Sequence, residues 1–211
     1  MPGVHDPEGF FAVAAFVRAA LPPLPARVLE IGAGSGELAA LLREGGYDVV
    51  AVDPASTSSG VTPAALTELD EPPASFDAAV AVVSLHHVEP LEASCAHLAT
   101  LLRPGAVLLI DEFDVARFDE RAAAWQLDRA EHAPEHVPRT PAEFVAQMRG
   151  HLHSLERITG ALSDAFEVAE PLRGAYLYRW LVPPGLRDAE ERLIAEGALP
   201  ATGARLRCVR H

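Results

Sequence analysis

Two amino-acid types are missing from this chain of 211 residues, which contains neither lysine nor asparagine. Without lysine the chain cannot form a lysine Schiff base, and it lacks the lysine of a phosphate-binding P-loop. Without asparagine it has no acceptor for N-glycosylation. All 17 basic residues are therefore arginines, against 30 aspartates and glutamates, and the formal net charge is −13. This excess of negative charge disfavours binding to nucleic acid or to an anionic membrane.

Cysteines and long apolar runs are also scarce. Cys95 and Cys208 are too few for a disulfide framework or a zinc site, and we expect no bound metal. No run of about 18 apolar residues occurs, so no transmembrane helix is predicted. Residues 6–21 carry apolar side chains at helical spacing, with Asp6 as the predicted N-cap and Pro7 as the first helical residue. This pattern predicts an amphipathic helix instead of a signal peptide, and a cytoplasmic protein.

From residue 25 to residue 113 the chain alternates between short apolar strands and amphipathic helices. A strand over 76–84 is almost entirely apolar, as expected when both of its faces are covered. Repeated units of this kind predict an α/β fold with a Rossmann-like, doubly wound and mostly parallel sheet. Strands are predicted at 27–31, 48–52, 76–84 and 106–111, and helices at 37–44 and 89–102.

Two regions interrupt this alternation. Residues 54–75 are rich in serine, threonine and proline, and we expect a loop followed by a weak strand near Val61–Leu66. A short helix that starts at Thr62-Pro63 is the alternative. Residues 114–165 are predicted to form a mainly helical insert that acts as a lid. Helix caps are predicted within it at Asp119 and at Thr140, where the latter opens a capping box.

The C-terminal part, 166–211, returns to a strand pattern. Phe166–Leu172 and Ala175–Leu181, joined at Arg173-Gly174, are predicted to form an antiparallel hairpin. A helix at Arg187–Glu196 and a strand near Arg205–Val209 should follow. We expect the whole chain, 1–211, to form one domain.

The strongest local signal is a strand that runs into a glycine-rich turn, residues 32–36, before a helix. In such a turn a Cβ would obstruct a ligand lying against the backbone. Asp53 ends the second strand, where its carboxylate can accept hydrogen bonds from ribose hydroxyls. A dinucleotide is disfavoured, because Glu37 at the helix N-terminus would repel a pyrophosphate. The turn therefore favours a nucleoside without phosphates, and a tight turn with no ligand is the alternative.

Four segments together resemble the class I S-adenosylmethionine-dependent methyltransferases. They are VLEIGAGSGELAALL at 28–42, VVAVDP at 49–54, SFDAAVAVVSLHHVEPL at 75–91 and LLRPGAVLLIDEF at 101–113. Their order and spacing are more specific than any one segment. The resemblance implies S-adenosylmethionine as the cofactor and S-adenosylhomocysteine as its product.

The resemblance also implies a set of cofactor-binding residues. Glu30 would orient the glycine turn or reach the methionine amine, and Asp53 would bind the ribose. Ser84-Leu85 would lie near the sulfonium. The family often has an acid that contacts the adenine amine, but this chain has Ala65-Leu66 there, so we expect backbone groups to recognise adenine. The implied set is Glu30, Gly32, Ala33, Gly34, Gly36, Asp53, Pro54, Leu66, Ser84 and Leu85.

Histidines and acids at the same sheet edge are candidates for the acceptor side. In the resembled family the first position of a pair such as His86-His87 commonly faces the acceptor, so His86 is the candidate base. A hydrogen-bonding role at a helix start is the alternative for both histidines. Asp111, Glu112 and Asp114 could bind a cationic acceptor or tune a base, or could form a solvated acidic turn. Residues expected to contact the acceptor are His87, Asp111, Glu112, Trp125, His132, His153 and Tyr176.

These features predict a methyltransferase that acts on a small molecule. Methyl transfer requires an in-line arrangement of the reacting atoms, and a base only when the acceptor must lose a proton. One alternative is an NAD(P)-dependent oxidoreductase, which Glu37 and the absence of a Tyr-x-x-x-Lys pair oppose. The other is a protein that keeps the cofactor only as a structural ligand, and its four segments would look the same.

Overall fold

A computed structural model describes residues 7–130, 134 and 136–211. The N-cap predicted at Asp6 and the candidate residue His132 lie outside these ranges. The strands are β1 (Arg27–Ile31), β2 (Asp48–Val52), β3 (Phe76–Val82), β4 (Leu102–Phe113), β5 (Phe166–Val168), β6 (Leu172–Gly174) and β7 (Gly203–Arg210). The helices are α1 (Pro7–Ala20), α2 (Glu37–Glu44), α3 (Leu91–Leu101), α4 (Glu120–Leu127), α5 (Pro141–His151), α6 (Leu155–Leu162) and α7 (Arg187–Ala195). No helix in the described ranges is long and apolar enough to cross a membrane.

The strands form one sheet in the order β2-β1-β3-β4-β7-β5, and β6 also pairs with β7. The first four strands are parallel, whereas β7 runs antiparallel to β4. The chain passes from β1 through α2 to β2 on one side, and then returns to β3 on the other side of β1. The carboxyl ends of β1 and β3 therefore form a topological switch point, where open α/β sheets bind ligands.

Side chains alternate between the two faces of the sheet, and helices cover both faces. Leu29 belongs to the cluster that packs against α3 and α6, whereas Val28 belongs to the cluster that packs against α1 and α2. Period-two alternation places Glu30 on the same face as Val28, which brings a carboxylate into an apolar layer. A third cluster lies past the carboxyl end of β4 and joins Phe113 to α4, α5 and Tyr176.

The predicted α/β fold is confirmed, and both predicted helix caps in the insert are present. Asp119 accepts hydrogen bonds from the backbone N–H groups of Arg121 and Ala122, and Thr140 accepts one from Glu143. The strand predicted near 61–66 is reduced to a single bridge between Val52 and Thr62, followed by a 3₁₀ turn at Leu66–Glu68. Pairing stops after Thr62 because the next residue, Pro63, has no backbone N–H to donate.

The predicted C-terminal hairpin is wrong. Its first strand is split into β5 and β6, and both of these pair with β7. Residues 175–181 form a 3₁₀ turn at Leu177–Arg179 instead of the second strand. The reason is the buried carboxylate of Glu190, which accepts hydrogen bonds from the backbone N–H groups of Tyr176, Leu177 and Tyr178 at 2.8–3.0 Å. Those N–H groups are then not available to a strand ladder.

Candidate active site

A cleft of about 510 Å³ opens at the carboxyl ends of β1 and β3. Its wall contains the glycine turn, the loop that follows β2 and residues 64–66. It also contains residues that follow β3, residues of α1 and residues of the 176–180 segment. The cleft thus lies at the switch point of the sheet.

The glycines of the turn have left-handed backbone angles, with φ of 68° at Gly32, 54° at Gly34 and 82° at Gly36. A Cβ on Gly32 would lie 2.3 Å from the Cβ of Ser84, and one on Gly36 would lie 2.8 Å from Val61. At Gly34 no atom of the described chain lies within 4 Å of that position. Packing inside the protein therefore requires two of these glycines, and Gly34 is the one that leaves space open to a ligand.

Asp53 ties the glycine turn to the loop that follows β2. Its Oδ2 accepts a hydrogen bond from Gly34 N at 2.9 Å, and its Oδ1 accepts one from Ala55 N at 2.8 Å. Ser56 Oγ adds a hydrogen bond of 2.6 Å to the carbonyl oxygen of Gly34. Each carboxylate oxygen has a second lone pair, so Asp53 can still accept a hydroxyl at the cleft wall.

Glu30 is a cleft-lining acid that is only 4% exposed. Burial raises its pKa to about 8, although the charge of Arg43 and the N–H of Ala39 act in the opposite direction. Its Oε2 has no hydrogen-bond partner among the described residues. A cationic group of a ligand would therefore meet an unpaired carboxyl group here.

A second buried acid, Glu112, holds the loop that follows β3. Its carboxylate accepts hydrogen bonds from Ser84 N at 2.9 Å, from Leu85 N at 2.6 Å and from His86 Nδ1 at 2.5 Å. His86 is fully buried, and its Nε2 has no partner in the described ranges. His87 lines the cleft instead, with its ring 4.4 Å from that of His86. Burial, and next the charge of His86, lower the pKa of His87 to about 4, so its imidazole is neutral at pH 7.

A sequence model of the methyltransferase domain family matches residues 9–151. The chain belongs to this methyltransferase family. An uncharacterized methyltransferase of Mycobacterium tuberculosis is 40% identical over 98 residues, which are 42% of this chain and 40% of that protein. The chain thus spans 40% of the length of the curated relatives it matches.

Solved structures share the fold of this chain. An S-adenosylmethionine-dependent methyltransferase from Mesorhizobium loti is 19% identical, with a TM-score of 0.59 over 93% of this chain and 96% of that one. The 1,6-didemethyltoxoflavin N1-methyltransferase of Burkholderia thailandensis is 21% identical, with a TM-score of 0.56 over 94% of this chain and 76% of that one. At these identities the two structures show a shared fold.

Eight of the ten residues implied to bind the cofactor line the cleft. Gly36 and Leu85 do not line it in the described structure. The N–H of Ala65 donates to Glu68 Oε2 at 2.9 Å, so this one backbone group near the expected adenine position is already used. The cleft-lining members of the implied set are Glu30, Gly32, Ala33, Gly34, Asp53, Pro54, Leu66 and Ser84.

The predicted exposure of His86 to the acceptor is wrong in this structure, because Glu112 holds its imidazole behind the cleft wall. The three acids at the end of β4 are neither solvated nor part of the wall that the described residues form. Asp111 pairs with Arg179 and Arg205, and Asp114 pairs with Arg173. Glu112 likewise uses its oxygens on the loop that follows β3. Their partners lie far away along the chain, so the sequence pattern did not reveal them.

Tyr176, expected on a strand to contact the acceptor, lines the cleft, whereas the candidates Trp125 and His153 of the predicted lid do not in the described structure. Trp125 is buried in the third cluster. His153 is buried as well, and its Nε2 contacts Val88 O at 3.0 Å and Glu89 Oε1 at 3.1 Å. The described residues contain no group of three or more His, Cys, Asp or Glu side chains placed to hold a metal ion.

Several wall residues were absent from the predicted set. Phe10 and Val13 reach the cleft from α1, and their helical spacing did not show that this end of the helix passes the sheet edge. Val83 lines the cleft with a φ of 51°, which is strained for a β-branched residue. Arg179 and Trp180 were expected within a strand.

Proposed function

We propose that this methyltransferase transfers a methyl group from S-adenosylmethionine to a small molecule bound at the other end of the same cleft. The observation that carries the proposal is the buried Oε2 of Glu30, which has no partner among the described residues and belongs to the same cleft wall as the open space at Gly34. The family match supports the same chemistry.

The residues present fit the proposed cofactor. Glu30 would accept the ammonium group of its methionine part, because an opposite charge offsets the cost of burying the carboxylate. Asp53 would accept the ribose hydroxyls, and the buried side chain of Leu66 offers an apolar contact for the adenine. Glu37 is exposed at the start of α2 and lines the cleft, which opposes the pyrophosphate of NAD.

When bound, S-adenosylmethionine supplies an activated methyl group, so the protein mainly has to position the acceptor. Phe10, Val13 and Val83 provide an apolar part of the acceptor end, with Tyr176 next to them. His87 is neutral there, so its ring nitrogen can accept a hydrogen bond from a hydroxyl or amine and take the proton as the bond to the methyl group forms, although its lowered pKa makes it a weaker base than a free imidazole. We therefore propose His87, in place of His86, as the candidate base.

The size of the cleft favours a small acceptor, since ligand pockets for small molecules are about 300–1,000 Å³. The Burkholderia structure contains S-adenosylhomocysteine together with 1,6-didemethyltoxoflavin, so a protein of this fold can bind both kinds of molecule. That precedent supports a small-molecule acceptor for this chain.

The test is a transfer assay with methyl-labelled S-adenosylmethionine and a library of small hydroxyl, amine and carbon acceptors. We expect label in at least one acceptor together with an equal amount of S-adenosylhomocysteine. Gly34→Val is the control, because its side chain would enter the open space of the cleft. Binding of S-adenosylmethionine without turnover on any acceptor would instead support a structural ligand and contradict the proposal.

A further inference from the structure

Two neighbouring side chains at the acceptor end carry N–H groups without an acceptor. Arg179 and Trp180 both line the cleft. Arg179 Nε and Trp180 Nε1 are buried, and neither has a hydrogen-bond partner among the residues that the structure describes. Both are donor-only groups, and burying a donor without an acceptor is unfavourable. The pair is therefore explained if a ligand supplies the missing oxygen atoms.

The rest of the Arg179 side chain is held firmly. Its Nη1 is paired with Asp111 Oδ1, and its Nη2 lies 3.4 Å from Asp111 Oδ2. Its guanidinium carbon lies 5.0 Å from the ring centre of Tyr176 and 5.7 Å from that of Tyr178. Asp111 thus occupies the edge of the guanidinium that Nη1 and Nη2 form. The edge formed by Nε and Nη2 stays available to a ligand, and its two N–H groups match the spacing of the two oxygens of a carboxylate.

The ion-pair cluster that contains Arg179 has two guanidinium groups and one carboxylate. Asp111 is shared by two guanidinium groups, because Arg205 Nε also contacts its Oδ2 at 2.7 Å. The other two buried acids nearby, Glu112 and Glu190, spend their oxygens on backbone N–H groups. Within the described wall of the cleft, Arg179 is also the sole arginine.

We infer that the acceptor carries a carboxylate, which binds to Arg179 and Trp180. The inference rests on the proposed function, since it names the acceptor class of the same cleft. Arg179 and Trp180 are binding residues in this account.

The test uses three molecules of equal shape and different charge: benzoate, benzamide and benzamidine. Each is titrated calorimetrically into the 211-residue chain that is already saturated with S-adenosylhomocysteine. We expect benzoate to bind at least about tenfold more tightly than benzamide, because a hydrogen bond to a charged group is worth about tenfold or more in affinity. Benzamidine should bind most weakly.

Matched variants assign the effect to the two donors. Arg179→Lys keeps the charge but removes Nε, and Trp180→Phe keeps a ring but removes its N–H. Each should weaken benzoate binding by about tenfold and leave the affinity for S-adenosylhomocysteine unchanged. The controls are Arg205→Lys, which changes the other partner of Asp111, and Trp125→Phe, which removes an unpartnered indole N–H remote from the cleft in the described structure. Both controls should bind benzoate as the wild type does.

Three results would overturn the inference while S-adenosylhomocysteine still binds. They are no binding of benzoate, equal binding of benzoate and benzamide, or equal losses in the controls and the two test variants. Failure of S-adenosylhomocysteine to bind the wild type would be a different result, because it contradicts the proposed function itself.

Discussion

Replacing Glu30 with glutamine should stabilise the ligand-free protein at alkaline pH and weaken cofactor binding. Burial raises the pKa of Glu30 from an ordinary 4.5 to about 8, so the folded protein holds a proton there that the unfolded chain has lost. Between these two pH values the folded state binds more protons, and its stability falls as the pH rises. Above pH 8 Glu30 is also ionised in the folded protein, and the full free-energy cost of burying its charge then reduces the stability.

The size of this cost follows from the two pKa values. At about 1.4 kcal/mol per pKa unit, the difference between 4.5 and about 8 corresponds to about 5 kcal/mol. Structural relaxation and water entry reduce such costs, so we expect Glu30→Gln to gain about 2–5 kcal/mol over the wild type at pH 9. At pH 5 the two proteins should differ little, because Glu30 is then protonated in the folded state.

Urea unfolding of the ligand-free proteins at pH 5, 7 and 9 measures this difference. Glu37→Gln is the matched control, since Glu37 is an exposed acid of the same cleft and should not change the pH dependence. Glu30→Gln should also bind S-adenosylhomocysteine about 10- to 100-fold more weakly, because it loses a charged partner for the ammonium group. A variant whose stability follows pH as the wild type does would refute the account of Glu30.

Five other substitutions test the remaining parts of the cleft and its surroundings. Asp53→Ala should weaken S-adenosylhomocysteine binding by roughly 10- to 150-fold in calorimetry, through loss of a charge-assisted hydrogen bond. Gly32→Ala should lower the melting temperature far more than Gly34→Ala, because only the first adds a Cβ in collision with Ser84, 2.3 Å away; equal losses would contradict the packing argument. His87→Ala should lower turnover by about 10²- to 10⁴-fold on an acceptor that loses a proton, with cofactor affinity unchanged. His86→Ala should instead cost about 3–5 kcal/mol in urea unfolding, since it removes a buried partner of Glu112.

The features that local sequence determines were the ones that could be predicted. Strand β1, the glycine turn and α2 follow one another in the sequence. Asp53 comes directly after β2, which pairs with β1. The caps at Asp119 and Thr140 act within three residues of themselves. Short-range patterns of this kind need no knowledge of tertiary contacts.

The acceptor end could not be predicted in the same way, because buried acids shape it from a distance. Glu112 lies 28 residues from Ser84, and its hydrogen bonds decide that His86 turns inward. Glu190 decides that residues 175–181 do not form a strand, and so presents Arg179 and Trp180 to the cleft. From sequence, a glutamate in a helix is usually predicted to be exposed to solvent. Only the folded chain shows that Glu190 accepts hydrogen bonds from distant backbone N–H groups.

The most direct measurement is a calorimetric titration of the wild-type protein with S-adenosylhomocysteine and, under the same conditions, with NAD. We predict micromolar binding of S-adenosylhomocysteine, which corresponds to about −8 kcal/mol, and binding of NAD that is at least about a hundredfold weaker. The Gly34→Val variant should lose the response to S-adenosylhomocysteine. Binding of NAD with no response to S-adenosylhomocysteine would contradict the assignment of this cleft to a nucleoside without phosphates.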